Sequence, residues 1–234
     1  MTAKTTSKRK SSTTSSKPKA TTKKTATVPA TAKRVRRPAV SEAFIIENAT
    51  RLFSERGYPA ISIRDIVAAC EVNIPSIYHY FKDKDDLYDR CCEHVWREVS
   101  GPLLAAIAGS EDPRLRLKRF TIVLSNVLLQ AEQFRKMLQR ELLLSRSKRF
   151  ENLTNRHFVT AYRVIIPVVA SVARLPEEEA KARALSIYAL TFGLILMRPI
   201  ADIGGVTSPA LEGSAVLAEF VLQTLFPGLD WTSI

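Results

Sequence analysis

The stretch "NIPSIYHYFKDKDDL", residues 73–87, packs hydroxyls, an imidazole and alternating lysines and aspartates into fifteen positions. On a helix over 74–81, Ile77 and Phe81 lie four apart and take one face. Ser76, Tyr78, His79 and Tyr80 are left on the other. Hydroxyl and ring N–H donors in that arrangement suit phosphate oxygens and base edges. Asn73 is a good N-cap for this helix, and Pro75 is tolerated because first-turn amides have no intrahelical partner. Asp83 then caps a further helix, whose first residue is Lys84. Its ammonium and the helix N-terminal amides can both face an anion.

Charge points to the same chemistry. The net charge of +12 is carried by the first forty residues: twelve Lys and Arg, from Lys4 to Arg37, precede the first acid, Glu42, and the rest of the chain is neutral overall. Residues 1–40 are Thr, Ser, Lys and Ala, too poor in apolar groups to offset chain entropy, so a disordered tail is expected. A block of like positive charge suits an arm on nucleic acid, with a solubilising leader or an organelle transit peptide as alternatives. No apolar run approaches the roughly 18 residues of a membrane span. Three cysteines, two adjacent, do not form a disulfide framework, which suggests a reducing cytoplasm.

The elements that must hold 73–87 in place are helical. Ile45, Ala49, Leu52, Phe53 and Arg56 recur at helical spacing, with Gly57 as the stop. Ser62 begins a second helix through Ala69, and Cys70, Glu71 and Val72 make a turn. The third helix follows, and the fourth runs to about Ser100, where Gly101-Pro102 should end it. Five to six more helices are expected beyond, with breaks at Asp112-Pro113, Pro167, Leu175-Pro176, Gly204-Gly205 and Pro227-Gly228. Period-two alternation is absent. The predicted architecture is all-α, about nine to ten helices in all: a basic tail over 1–40, a helix-turn-helix module over 41–87, and a larger helical region over 88–234.

The stretch "IIENATRLFSERGYPAISIRDIVAACEVNIPSIYHYFKDKDDL", residues 45–87, resembles the DNA-binding module of the TetR family of bacterial transcriptional regulators. It is similar to the family pattern Leu-Phe-x-x-x-Gly-Tyr, then Ser/Thr-x-x-x-Ile-Ala, then Val-Ser-x-x-x-Leu-Tyr-x-His/Tyr-Phe-x-x-Lys-x-x-Leu. The resemblance covers about a fifth of the chain. It implies that Asn73, Tyr78 and Lys84 hold phosphates, and that Arg64, Ile74, Pro75, Ser76, His79 and Tyr80 approach base edges. An arginine can bridge both acceptors of a guanine. Glu71 and Cys70 depart from the pattern, standing where the family usually has Gly and Ala.

The family resemblance further implies a homodimer bound to a palindromic operator in bacterial DNA, with an inducer pocket in the C-terminal region. Residues 176–205 and 208–229 read as two apolar helices. In the latter, Leu211, Ala215, Ala218, Leu222 and Leu225 fall near helical spacing. Paired with a symmetry mate they would make a four-helix interface, with Ala189 and Gly193 allowing close approach. Candidate pocket residues are Trp96, Phe120, Phe134, Met137, Arg140, His157, Tyr162, Tyr188 and Phe192, with Glu141 and Met197 nearby; plain core is the competing reading. Such a lining suits a largely hydrophobic inducer. Cys91 and His94 share a helical face, but two ligands do not make a metal site, so no metal and no cofactor are expected. No catalytic motif occurs, so an enzyme is not expected. The predicted function is a sequence-specific repressor released by an inducer. The alternatives are a nucleoid-associated architectural protein and a DNA-bound factor controlled by a protein partner.

Overall fold

In the computed structural model, residues 41–108, 112–143, 148–205 and 212–233 are described. The basic tail, expected to be disordered, lies outside them, as does Leu211. Among the described residues there are ten α-helices and no strand. The all-α expectation therefore holds.

The first three helices are short and are set by local chemistry. Helix α1, Glu42–Arg56, starts at Ser41, whose hydroxyl accepts from the Phe44 amide at 3.2 Å. It buries Ile45, Ala49, Leu52 and Phe53 on one stripe and ends at Gly57, with φ 83°. Helix α2, Ile63–Cys70, carries a full capping box: Ser62 serves the Asp65 amide, and the Asp65 carboxylate accepts from Ser62 in return. Glu71 ends it in the left-handed region at φ 52°. The Val72 amide reaches back to the Val67 carbonyl at 3.1 Å, so the turn closes as it would around glycine, at the steric expense of a side chain. Helix α3, Ile74–Tyr80, is capped by Asn73 and inserts Ile77, with Phe81 just beyond its end, into the core.

Helix α4, Lys84–Ile107, corrects the expected stop at Gly101-Pro102: it continues a further turn and more. Pro102 lacks an N–H, but it and Gly101 lie on the exposed side, where water can serve the freed carbonyl. Val99, Leu103 and Ile107 on the opposite side are buried and hold the helix in line. At 1.5 Å per residue, α4 is roughly 36 Å long. One continuous core runs past residue 87 from the N-terminal module into the remainder.

Helix α5, Pro113–Gln130, is central and meets α4, α8, α9 and α10. Helix α6, Glu132–Leu143, leans on α1 and α4. Helix α7, Lys148–Leu153, passes through a π-helical turn, Thr154–Phe158, straight into α8, Val159–Ala173. The expected break at Pro167 does not occur; Pro167 faces outward on α8. Helices α9, Glu177–Ile203, and α10, Ser214–Leu225, follow the expected breaks at Pro176, Gly204 and Pro227. Against the reading from sequence, Lys148–Ala173 and Glu177–Ile203 are each long and apolar enough to cross a membrane by length and composition. Core helices pass the same test, and one face of each packs against α5.

Candidate nucleic-acid interface and inner cavity

The capped starts of α2, α3 and α4 point one set of side chains outward. Arg64, Asn73, Ile74, Pro75, Tyr78 and His79 are exposed, with Ile74 at 41% and Tyr78 at 52%; Ser76 and Tyr80 are half-buried. All stand on or beside α3, apart from Arg64 on α2. His79 and Tyr80 meet edge to face at 4.8 Å. The Asn73 Oδ1 accepts from the Ser76 amide at 2.9 Å and from the Ser76 hydroxyl at 2.6 Å.

Lys84 is held differently from expectation. Its Nζ lies 4.1 Å above the Tyr58 ring, a cation–π contact that fixes the ammonium at the start of α4. The Tyr58 hydroxyl donates to Asp85 at 2.7 Å, and burial together with that carboxylate pushes the phenol up to about 12. Arg149 pairs with Asp85 at 3.1 Å and with Asp89, and stacks 4.7 Å from the Tyr88 ring. Asp83 and Asp86 serve the Asp86 and Lys82 amides. The helix start is thus already furnished with carboxylates, and affinity for an external anion rests on the Lys84 ammonium more than on the amides.

Elsewhere in the core, α4, α5, α6, the π-turn and α9 line a cavity of about 260 Å³ with almost wholly apolar walls. Of the predicted pocket residues, Trp96, Phe134, His157, Tyr188 and Phe192 line it. Phe120 and Met137 are instead buried core. Tyr162 donates to the Lys181 carbonyl at 2.7 Å. Arg140 reaches back to α1, where its Nη1 donates to Phe53 O at 2.8 Å and its Nη2 to Glu55 O at 3.0 Å. Glu141 is 2% exposed and accepts from the Tyr88 hydroxyl at 2.9 Å, whereas Met197 is 53% exposed.

Ser100, Leu138 and Leu142 are lining residues the sequence did not single out. Ser100 Oγ lies 3.3 Å from His157 Nδ1, and His157 Nε2 lies 3.1 Å from Glu93, which also accepts from Arg156 at 2.8 Å. Although burial works against it, these partners hold the Glu93 carboxyl below its ordinary range. The π-turn, which widens the helix by a residue, is what sets His157 and Thr154 on the wall.

The cysteines make no site. Cys91 points inward, with Sγ 3.7 Å from the Ile46 carbonyl, and burial pushes its thiol up to about 12. His94 faces outward toward Glu98 at 3.4 Å, so the shared face expected for Cys91 and His94 is corrected. Among the described residues no group of three potential ligands is placed to hold a metal ion.

Leu185, Ala189, Ile200 and Ile203 of α9 form an exposed apolar stripe at spacings of four, eleven and three residues, Ile203 at 90% exposure, and Leu185 and Ala189 also border the cavity. Val216 and Phe220 of α10 are also exposed. Ala218 and Leu222, expected to contribute to an interface, are instead fully buried in the chain's own core, where α10 packs on α5 and α9.

A model described as "Bacterial regulatory proteins, tetR family" matches residues 45–91. The match runs from α1 through the turn and α3 into α4, over the surface just described. Over this stretch the chain is similar to the DNA-binding module of the TetR family. An HTH-type transcriptional repressor of Mycobacterium tuberculosis is 34% identical over 116 residues, which is 49% of this chain and 61% of that relative. This chain thus spans about three-fifths of that relative's length. A BetI regulator of Burkholderia cenocepacia is 29% identical over 80 residues, 34% of this chain and 41% of the relative. The TetR fold extends over the C-terminal helices as well. Mycobacterium smegmatis AmtR superposes with a TM-score of 0.59 at 25% identity, covering 83% of this chain and 90% of AmtR. A TetR-like regulator from Rhodococcus sp. RHA1 gives 0.63 at 18% identity, covering 80% and 96%.

Proposed function

We propose that this protein is a sequence-specific, DNA-binding transcriptional repressor of the TetR type that acts as a homodimer and responds to a largely hydrophobic small molecule. The observation that carries the reading is the α3 surface: a short helix with buried anchors Ile77 and Phe81 that presents Tyr78, His79 and Ser76 beside Arg64 and Lys84. In this reading Asn73, Tyr78 and Lys84 hold phosphates, and Arg64 with Ile74, Pro75, Ser76, His79 and Tyr80 meets base edges. Ile74 suits a thymine methyl. One seven-residue helix reads few base pairs, so two half-sites are needed, and the apolar stripe on α9 with Val216 and Phe220 is the face that joins two copies. The cavity supplies the inducer site. A ligand that binds better to a dimer with displaced α3 helices shifts the population off DNA.

The test is binding of the full chain to DNA upstream of its own gene and to scrambled DNA, across a salt series. A preference for the upstream DNA, reduced roughly 5- to 150-fold by Arg64→Ala, is the expected result. Lys84→Ala should weaken both DNAs alike and flatten the salt slope by about one. The twelve-cation tail favours a second reading, an architectural protein. Equal affinity for both DNAs, lost when residues 1–40 are removed, would establish that reading instead. For the dimer, Ile200→Asp should convert the sedimenting species to a monomer.

A further inference from the structure

The apolar cavity does not end blindly. Leu142 and Phe192 form part of its wall and also part of a second, outward-facing groove, whose other residues include Lys136, Gln139 and Arg140. A hydrocarbon compartment and a largely apolar groove that carries two cationic side chains therefore share two residues. The first offers almost no polar surface, so whatever part of a ligand it takes must be hydrocarbon. The second offers an ammonium and a guanidinium set against one acid, Glu55, with Lys136 paired to Glu132 at 2.6 Å.

We infer that the ligand is a single-chain amphiphile with an anionic head: its alkyl tail fills the cavity, and its carboxylate lies in the groove against Arg140 and Lys136. This rests on the ligand-responsive reading above and names the chemistry of that same site.

The head position has a regulatory consequence, because Arg140 is already employed. Its guanidinium donates to the carbonyls of Phe53, Ser54 and Glu55, the last turn of α1, and its Nε lies 3.5 Å from where a Cβ on Gly57 would stand. The Phe53 carbonyl also accepts from the Gly57 amide at 2.9 Å, whereas those of Ser54 and Glu55 lie past the last helical donors, and Arg140 caps all three from another helix. A carboxylate is a stronger acceptor for a guanidinium than neutral carbonyls are. A bound head group draws Arg140 off α1 and loosens the docking of the DNA-contacting module on α6. The tail provides affinity, and the charge acts as the signal.

The experiment needs no DNA, so its failure is separable from failure of the regulator reading. Binding of decanoate and of decanol to the full chain is measured by titration calorimetry and by the fluorescence of Trp96, which lies in the cavity wall. Decanoate is expected to bind at least several-fold more tightly than decanol. Lys136→Gln should weaken decanoate about threefold, as suits an exposed pair. Arg140→Lys should weaken it about tenfold, because a bidentate contact becomes a point charge. Decanol should be indifferent to both substitutions, and Leu138→Trp, at a half-buried wall position, should abolish both ligands. Hydrogen exchange of the Arg56 and Gly57 amides should quicken with decanoate and not with decanol. Equal binding of both molecules, unmoved by the two basic substitutions, overturns the anionic head. Binding of neither overturns the cavity as the site.

Discussion

Where α4 meets α6, the Tyr88 hydroxyl donates to Glu141 at 2.9 Å, with both side chains 2% exposed. The other carboxylate oxygen, Oε2, has no hydrogen-bond partner among the described residues. Burial first, and then neighbouring Cys92 and Glu141, push the phenol upward, so Tyr88 is a committed donor. Tyr88→Phe keeps the ring, and with it the contacts to Phe53, Tyr58 and Arg149, and removes only the hydroxyl. A hydrogen bond to a charged group contributes about 1.5–3 kcal/mol, and stripping a buried charge of its partner can cost up to about 5. Arg149 stays close enough to offset part of that loss, so we expect about 2–3 kcal/mol of destabilisation. For a chain of this size that is a fall in Tm of roughly 4–12 °C. Urea unfolding at one fixed protein concentration reads the difference directly. The double variant Tyr88→Phe with Glu141→Leu, which removes the charge as well, should recover most of the loss. A single substitution within about 0.5 kcal/mol of the parent, or a double variant at the sum of its parts, would refute the buried-pair argument.

Gly57→Ala forces a side chain to φ 83° and toward the Arg140 stem, and should destabilise by about 1–2 kcal/mol in the same unfolding assay. Native Cys91 and Cys92 should resist a thiol reagent near neutral pH and react once the chain is unfolded, because burial holds both thiols protonated. The Ser62 hydroxyl and amide hold the Asp65 carboxyl below its ordinary 3.8. A depressed acid contributes stability that is present above its unfolded value and lost as pH falls through the folded one. Acid titration of α2 helicity should therefore show a step below pH 3.8 that Asp65→Asn removes.

Much of the α3 surface proposed to contact DNA was legible in the sequence, because its determinants are local. Ser62 with Asp65, Asn73 before Pro75, and Ile77 four residues before Phe81 each act within a single turn. What local rules missed was decided by contacts across the fold. Pro102 looked like a stop, but Val99, Leu103 and Ile107 are buried on the far side of α4 and keep it straight. Ala218 and Leu222 share a stripe that periodicity alone cannot assign to an interface or to the chain's own core. Ser100 and His157 meet across 57 positions through a π-turn with no signature of composition. Arg140 looked like a pocket anchor, and it is instead engaged 87 positions away, on the Phe53 carbonyl.

The cap on α3 sets the polarity of the surface proposed to meet DNA. With Oδ1 of Asn73 taken by the Ser76 amide and hydroxyl, its outward group is the NH₂, which can only donate. Ser76 has given its proton inward, so its oxygen faces out as an acceptor. Two neighbouring residues that could each have played either part are thereby fixed in opposite parts. An Asn73→Asp replacement would keep the helix cap while turning the donor into a carboxylate that repels the backbone. Folding and recognition at this position can thus be separated by one atom.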